Sequence, residues 1–361
     1  MRTAMLYIAN RISGDMSSYV AVAEAAITAI RNYTGSIDEA DYEFRNALFR
    51  QYVNCAKFKA AAVVLSGLNL ESTSRRYTAF EKADLYVTCA ESCLSGGEAV
   101  DAENFVKRAS EHMNEADQEI RAGGEGHTSQ ASALDLRYRV CYAQVLDANR
   151  KFADAATRYY QVSSIENSEA DPDDLLVLLG KAVTCAVLAK AGPPRTRLLA
   201  LLSKDARLPL LESVPSFSQH ATVLHKMDQE QLLKIEELKI FQESLQPHQK
   251  AVTEGGFTVV EKAVIEHNLQ AASKIYNNIR ISELSKLLNM DVNNAEKLVA
   301  KMISEDRLQG VLDQTEGLLL FSEEDEIYTW NDNVKSICSD LTDVMQTVQE
   351  MYPGSFFEAN E

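Results

Sequence analysis

The sequence lacks the residue patterns on which most enzymes and metalloproteins depend. Among its 361 residues are only six histidines, and no two of them stand at an HxH, HxxxH or HExxH spacing that would bring metal ligands together. The closest pair, His220 and His225, would turn its rings to different sides of a helix. Walker, GxGxxG and GxSxG motifs are also absent. We therefore predict that the chain is not an enzyme and has no catalytic residue, no metal site and no cofactor.

Paired cysteines and long apolar runs are missing as well. The six cysteines form no CxxC pair, and most lie within apolar helical patterns, which is typical of reduced core residues. Asn10 and Arg11 interrupt the short apolar stretch near the start of the sequence, and no later run approaches the roughly 18 apolar residues of a transmembrane helix. The sequence predicts a soluble intracellular protein.

Basic residues are scarce. The chain has 36 lysines and arginines against 53 aspartates and glutamates, a net charge of −17, which would repel nucleic acid and anionic lipid. Residues Glu323–Glu361 alone contain ten acidic residues and one lysine, and we interpret much of this charge as a solvated helix face. We expect neither a nucleic-acid partner nor a membrane partner.

What the sequence does contain is a repeated helical pattern. The motif K-F-x-x-A-A occurs at Lys57–Ala62 and Lys151–Ala156, each time opening an amphipathic helix. Two other helical segments, Phe80–Leu94 and Leu134–Ala148, end in short polar turns. A looser third copy of the motif is formed by Ala102, Phe105, Val106, Ala109 and Met113. The pattern predicts stacked antiparallel helix pairs, that is, a TPR-like helical-repeat solenoid.

Further helices are predicted after the repeats. Residues Arg121–Gln130 predict an exposed loop within the solenoid. Prolines favour a helix pair at Pro172–Ala191 and Arg195–Asp205. The remaining predicted helices are Gln219–Met227, Gln229–Leu233, Glu236–Leu245 and a long one that begins near Val259 and ends before Ile279.

The segment Lys274–Ser322 has the element order of a winged helix. An extended stretch at Ile279–Ile281 precedes two helical patterns and a hairpin, and we expect it to pair with that hairpin. The second hairpin strand is apolar on both faces, so we predict a sheet edge that a partner strand or helix covers, unless the strand is buried within the domain. Its residues are Leu318, Leu319, Leu320 and Phe321.

Some winged helices bind DNA, but the charge here argues against it. Between Lys274 and Phe321 there are six basic and seven acidic residues. The second helix carries Glu296 and Glu305 beside its lysines. Without a basic stripe, little counterion-release energy is available, so contact with protein is the better interpretation.

An a/d heptad pattern follows the winged helix. Its apolar positions alternate in steps of three and four residues and are Ile327, Trp330, Val334, Ile337, Leu341, Val344, Val348 and Met351. A single helix cannot bury this stripe by itself. The helix either packs on its own winged helix or joins helices of other chains as an assembly helix, and the unbroken pattern favours assembly.

Helical repeats followed by a winged helix resemble the PCI domain, which occurs in scaffold subunits of the proteasome lid, the cullin-deneddylating signalosome and a translation initiation complex. Several runs between about Lys57 and Met351 are specifically similar to the subunit 4 family of the signalosome. They are Arg139–Asp147, Arg150–Phe152, Ala155–Tyr159, Ala191–Gly192, Arg195, Arg197–Ala200, Lys204–Asp205, Pro247–Ala251, Ala263–Leu269, Ala272–Ile279, Ala295–Lys297, Met302–Ile303 and Asp313–Gln314.

The resemblance implies a non-catalytic scaffold subunit. Its repeats would reach toward a cullin-RING ligase, its winged helix would join other PCI subunits, and its last helix would enter a shared bundle, with the zinc isopeptidase on a different chain. We expect a solenoid at residues 1–205, a PCI domain at 206–322 with the winged helix at about 274–322, and an acidic spacer and assembly helix at 323–361. We expect the protein in the cytoplasm and nucleus. The alternatives are a proteasome-lid PCI scaffold and a winged-helix nucleic-acid binder.

Overall fold

The computed structural model describes residues 16–31, 38–70, 77–123, 128–165, 171–234, 238–252, 256–321 and 326–351. The chain divides into two compact units, Met1–His267 and Asn268–Glu361. The first unit is built from helices, and the second contains a winged helix and one further long helix. The predicted fold class, mostly α with helical repeats followed by a winged helix, is confirmed. The domain limits expected at residues 205 and 322 stay predictions.

Each helix of the first unit contacts the next one along the chain from α1 to α10, as expected for stacked helix pairs. The helices are α1 (Met16–Arg31), α2 (Asp38–Asn54), α3 (Phe58–Ser66), α4 (Ala79–Ser95), α5 (Ala99–Gly123), α6 (Thr128–Ala148), α7 (Phe152–Ser163), α8 (Pro172–Leu188), α9 (Pro193–Ser203), α10 (His220–Asp228) and α11 (Lys239–Glu243). Two short 3-10 helices, Leu208–Ser213 and Pro215–Phe217, connect α9 to α10. Helix α12 (Val259–Ile275) begins in the first unit and ends in the second.

The repeated sequence motif coincides with a repeated helix junction. Helices α2, α4 and α6 are each followed by a residue in the left-handed conformation, with φ values of 55°, 79° and 59°, namely Ala56, Gly97 and Arg150. The next amide N–H donates to the carbonyl five residues earlier, at 2.8–2.9 Å, which closes one helix and lets the next begin. The helix that follows each junction begins at Phe58, Ala99 or Phe152, so these three residues are equivalent. The third copy of the motif therefore begins at Ala99, three residues before Ala102, where it was predicted to begin.

Two other predictions for this unit are wrong in detail. The predicted loop Arg121–Gln130 is shorter, because α5 and α6 extend into it from both sides. The predicted helix Gln229–Leu233 is absent, because Glu230 adopts a left-handed φ of 54° and the Gln231 N–H donates to the Lys226 carbonyl. That closure ends α10.

The core of the first unit is dense and apolar. The motif alanines Ala155 and Ala156 are fully buried, which lets neighbouring helices approach closely. The largest apolar cluster joins side chains from α6 to α12. Among its most buried large members are Tyr159, Leu179, Leu202, Leu211, Leu224, Met227 and Phe241.

The second unit has the predicted winged-helix order. Its elements are β1 (Asn278–Arg280), α13 (Ile281–Leu288), α14 (Val292–Ser304), β2 (Gly310–Asp313), β3 (Leu318–Phe321) and α15 (Glu326–Met351). The antiparallel sheet has the order β1-β3-β2. The expected pairing of the first strand with the hairpin is confirmed. Across the residues that the structure describes, no helix combines the length and the apolar character needed to cross a membrane.

One strand prediction is wrong. Leu318, Leu319, Leu320 and Phe321 were expected at a sheet edge, but they form the central strand, because β1 and β2 pair with β3 from opposite sides. Leu319, for example, lies opposite Ile279 on β1 and Leu312 on β2. The edges of the sheet are β1 and β2, so backbone pairing within the domain already protects the most apolar strand.

Candidate interaction surfaces

The predicted heptad positions lie on one continuous helix. Helix α15 spans 26 residues, and six of its seam residues are exposed in the described part of the chain, with exposed fractions from 38% to 67%. These exposed residues, which we call the α15 stripe, are Trp330, Val334, Ile337, Leu341, Val344 and Met351. Val348 is half-buried, and the side chain of Ile327 lies outside the described residues.

The α15 stripe is wider than the a/d pattern predicts. Cys338 and Met345 occupy the adjacent heptad e positions and are exposed, whereas Ser339 and Gln346 place polar groups on the opposite face. Fully burying one large aliphatic side chain contributes about 1.5–3 kcal/mol, and contiguous exposed apolar patches mark interaction sites. The e positions could have been found from the sequence by extending the heptad beyond a and d.

The winged-helix sheet is apolar on both faces, and only one face is buried. Leu319 on β3 is fully buried. On the opposite face, Leu320 is 42% exposed and pairs across the strands with Val311, which is 64% exposed. The sheet therefore offers a second, smaller apolar surface beside the edge strand β2.

The helix that DNA-binding winged helices place in the major groove has no basic surface here. On α14, Glu296 accepts a hydrogen bond of 2.7 Å from the Gln314 amide, and the Lys301 ammonium lies 3.9 Å from the Glu305 carboxylate. The other lysine of this helix, Lys297, directly follows Glu296 in the sequence. Each lysine of α14 therefore has a neighbouring carboxylate. This charge pattern favours protein contact over phosphate contact.

A buried polar cluster lies in the first unit among residues that carry the family resemblance. Arg195 on α9 is 2% exposed. Its guanidinium donates to the Ala263 carbonyl at 3.4 Å and lies 3.3 Å from the Met227 sulfur. The Glu266 carboxylate accepts from the Ala191 N–H at 3.2 Å. Burial lowers the pKa of Arg195 to about 10, against the opposing effect of Glu266, so the guanidinium stays charged and joins α9 to α12.

Two buried histidines have structural hydrogen bonds. The His267 ring lies 2.9 Å from the Gln231 carbonyl, and the His220 ring lies 2.9 Å from the Thr184 hydroxyl. The pKa of both imidazoles is lowered to about 4, by burial in each case and, for His267, also by the nearby charge of Arg195. Both rings are therefore neutral near pH 7. Within the described residues, no group of three His, Cys, Asp or Glu side chains could hold a metal ion.

A third polar cluster joins two runs that are distant in sequence. Asp147, at the end of α6, is 6% exposed. Its carboxylate accepts from the Gln249 amide at 2.9 and 3.0 Å and lies 3.1 Å from the His248 ring. These bonds hold the segment after α11 against the end of α6. This cluster could not be predicted, because no local sequence pattern links residues a hundred positions apart.

Comparison with known proteins agrees with this architecture. The family model for the PCI domain matches residues 238–323, and the one described as PSMD12/CSN4, N-terminal, matches residues 26–171. A protein named COP9 signalosome complex subunit 4 from Arabidopsis thaliana is 37% identical over 330 residues, covering 90% of this chain and 78% of the relative. The chain belongs to the COP9 signalosome complex subunit 4 family.

Other members of the subunit 4 family show similar coverage. The Drosophila melanogaster protein is 34% identical over 88% of this chain and 73% of its own length. The Emericella nidulans protein is 32% identical over 96% of this chain and 82% of its own length. The resemblance found in the sequence is therefore confirmed. The N-terminal match also includes α2, whose Phe44 and Leu48 are buried.

Proposed function

We propose that this chain is a scaffold subunit of a signalosome complex. It would bind neighbouring PCI subunits and the zinc isopeptidase subunit, and it would contact the cullin-RING ligase that the complex deneddylates. The observation that carries the proposal is the exposure of the α15 stripe among the described residues, in a protein whose relatives are named as subunits of a complex. Helices of other subunits would cover the stripe.

We propose further that this chain performs no catalysis itself. Its buried histidines take part in hydrogen bonds that link elements of the fold, and their low pKa values keep them neutral. The polar clusters around Arg195 and Asp147 likewise join helices and turns. This use of polar groups suits a scaffold, because these buried side chains link elements of the fold.

We propose the cytoplasm and nucleus as the site of action. Cys89, Cys141 and Cys185 are buried as free thiols, and burial raises the pKa of Cys89 and Cys141 to about 12. Unpaired cysteines are typical of reducing compartments. Fractionation of cells that express the tagged chain tests this part of the proposal.

The experiment for the assembly role is a double substitution on the seam of α15. In the tagged full-length chain, Leu341→Asp with Val348→Asp places two carboxylates where apolar contacts are needed, and burying them unpaired costs several kcal/mol, on the order of 2–5 for each. We expect loss of co-purifying subunits and of cullin-deneddylating activity from the eluate.

The matched control is Ser339→Asp with Gln346→Asp. These residues have the same seven-residue spacing on the same helix, but they lie on its polar face. We expect this variant to retain its partners, and both variants to keep the circular dichroism spectrum of the parent chain. Recovery of the seam variant with its partners in normal amounts would show that α15 does not assemble the complex.

A further inference from the structure

A cleft of about 610 Å³ opens in the first unit. Its walls come from the turn between α4 and α5, from α8, and from the segment that contains Ser216 and Phe217. Asp147 and His248 also line it. The volume lies within the range of pockets that enclose small ligands or a few residues of an extended peptide.

The cleft is held in shape by buried contacts. Gln249 and His248 bind the Asp147 carboxylate, which holds the segment 244–249 against the end of α6. On the other wall, a Cβ atom at Gly180 would lie 2.7 Å from the Phe217 ring, so only glycine allows this ring to lie so close to α8. Phe217 also meets His220 edge to face at 4.9 Å.

Two of the sequence runs that resemble the subunit 4 family meet in this cleft. Arg139–Asp147 contributes its last residues, and Pro247–Ala251 contributes His248 and Gln249. Neither run contributes a residue to the α15 stripe. A preformed cleft built from these runs therefore needs a separate explanation.

Lys181 is the cation of the cleft that has no carboxylate partner among the described residues. It is half-buried on α8 and lines the cleft. The two acidic residues of the lining are engaged elsewhere: Glu91 binds Arg137 at 2.7 Å, and Asp147 binds Gln249 and His248. One partly exposed positive charge of the cleft is therefore available to pair with a carboxylate of a ligand.

We infer that this cleft binds an extended acidic segment of a partner protein, with one Asp or Glu carboxylate of the segment paired to the Lys181 ammonium. The inference rests on the proposed function, since it takes the chain to work as an assembled subunit. Phosphate-binding sites usually provide several hydrogen-bond donors or an arginine. This cleft provides one unpaired lysine, which suits a single carboxylate better than a phosphate. Exposed Ser216 and Gln246 can hydrogen-bond the backbone of the segment.

The first test is site-specific photo-crosslinking in the complex. The full-length tagged chain carries p-benzoylphenylalanine in place of Ser216, and after irradiation in cells the crosslinked peptide is identified by mass spectrometry. We expect one segment of one co-purifying subunit, rich in Asp or Glu. The control position is Ser213, which is also exposed and lies three residues earlier but does not line the cleft, and it should not capture that segment.

The second test is charge reversal. Lys181→Glu should lower the crosslink yield at position 216 by about tenfold or more, because a charge-assisted contact becomes a repulsion. The matched variant Lys190→Glu reverses an exposed lysine just beyond α8 that does not line the cleft, and it should leave the yield unchanged. Changing the acidic residue of the captured segment to Lys should restore the yield with Lys181→Glu.

Each outcome decides one of the two proposals. If signalosome subunits co-purify but position 216 captures no more than position 213, or captures a segment that is not acidic, the cleft inference is wrong while the proposed function stands. Insensitivity of the yield to Lys181→Glu also overturns the inference. Capture of an acidic segment from a protein outside any signalosome would instead support the cleft and contradict the proposed function.

Discussion

The first unit buries its large apolar side chains, whereas helix α15 exposes most of those on its seam. In the first unit, Phe241 and Leu202 are fully buried in a cluster that joins several helices. On α15, Leu341 and Trp330 belong to an equally regular pattern but are 61% and 67% exposed. Helix periodicity therefore identifies an apolar face, while the neighbours of the helix decide whether that face is buried within the chain or remains available to a partner.

Polar side chains are also buried in the first unit and exposed on α15. The first unit buries Arg195, His220, His267 and Asp147, each with hydrogen bonds to another element. Helix α15 instead places polar residues such as Ser339 and Gln346 at exposed positions. The first unit therefore buries both apolar and polar side chains, whereas the described residues of α15 expose most of theirs.

The largest effect should come from truncating a buried aromatic residue. Phe241→Ala removes a fully buried ring from the main cluster and should lower the free energy of unfolding by about 3–5 kcal/mol. Leu341→Ala on α15 should change it by less than about 0.5 kcal/mol in the isolated chain, because the side chain is already exposed. Urea unfolding followed by circular dichroism measures both.

A loss of stability in Leu341→Ala as large as that in Phe241→Ala would contradict this contrast. It would mean that the α15 stripe is covered in the isolated chain. The alternative in which α15 packs on its own winged helix would then be favoured over assembly with other chains.

A smaller effect should appear as the pH is lowered. The folded-state pKa values of His220 and His267 lie near 4, below the usual imidazole value of 6.5. Between these values the unfolded chain binds more protons than the folded chain, so the free energy of unfolding falls as the pH falls. Each histidine should lower it by about 2 kcal/mol between pH 7 and pH 5.

The control for the pH effect is His225, which is exposed on α10. His225→Gln should leave the pH dependence of the unfolding free energy unchanged. His220→Gln should reduce its slope between pH 7 and pH 5, even if the variant is less stable throughout. An unchanged slope in His220→Gln would mean that this imidazole is not held neutral by burial.

The smallest predicted effect concerns the repeated helix junction. Ala56 adopts a left-handed φ of 55° where the equivalent residue of the next repeat is Gly97. Ala56→Gly should raise the free energy of unfolding by roughly 0.5–1 kcal/mol, because the left-handed conformation strains a residue with a Cβ atom. Gly97→Ala should lower it by a similar amount, so thermal unfolding of the pair provides a reciprocal test. Shifts of the same sign would contradict the equivalence of the two junctions.

Local patterns explain which elements were predictable. The K-F-x-x-A-A helices, the winged-helix order and the α15 heptad all appear in short windows of sequence, and the structure contains each of them. The predictions for Gln229–Leu233 and for β3 were wrong because backbone conformation and strand order are not encoded in composition. Glu230 ended a helix that its composition favoured, and β3 proved to be central because two strands pair with it.

One candidate surface could be predicted from the sequence and the other could not. The a/d positions of the α15 stripe could be predicted from spacing alone. The cleft at Lys181 could not, because its residues come from segments spread between the end of α4 and residue 249. The bonds that Asp147 makes with His248 and Gln249 span 101 and 102 residues, and no propensity or periodicity encodes a contact at that separation.

The helical repeats, the winged helix and the final amphipathic helix could be predicted from the sequence, because hydrophobic periodicity and turn residues act over a few neighbouring positions. The packing of distant segments was needed to learn that β3 lies between two strands, that the α15 stripe is exposed, and that Lys181 has no acidic partner among the described residues of its cleft. Exposure and charge pairing depend on which distant segments meet, and that is settled by the packing of the whole chain.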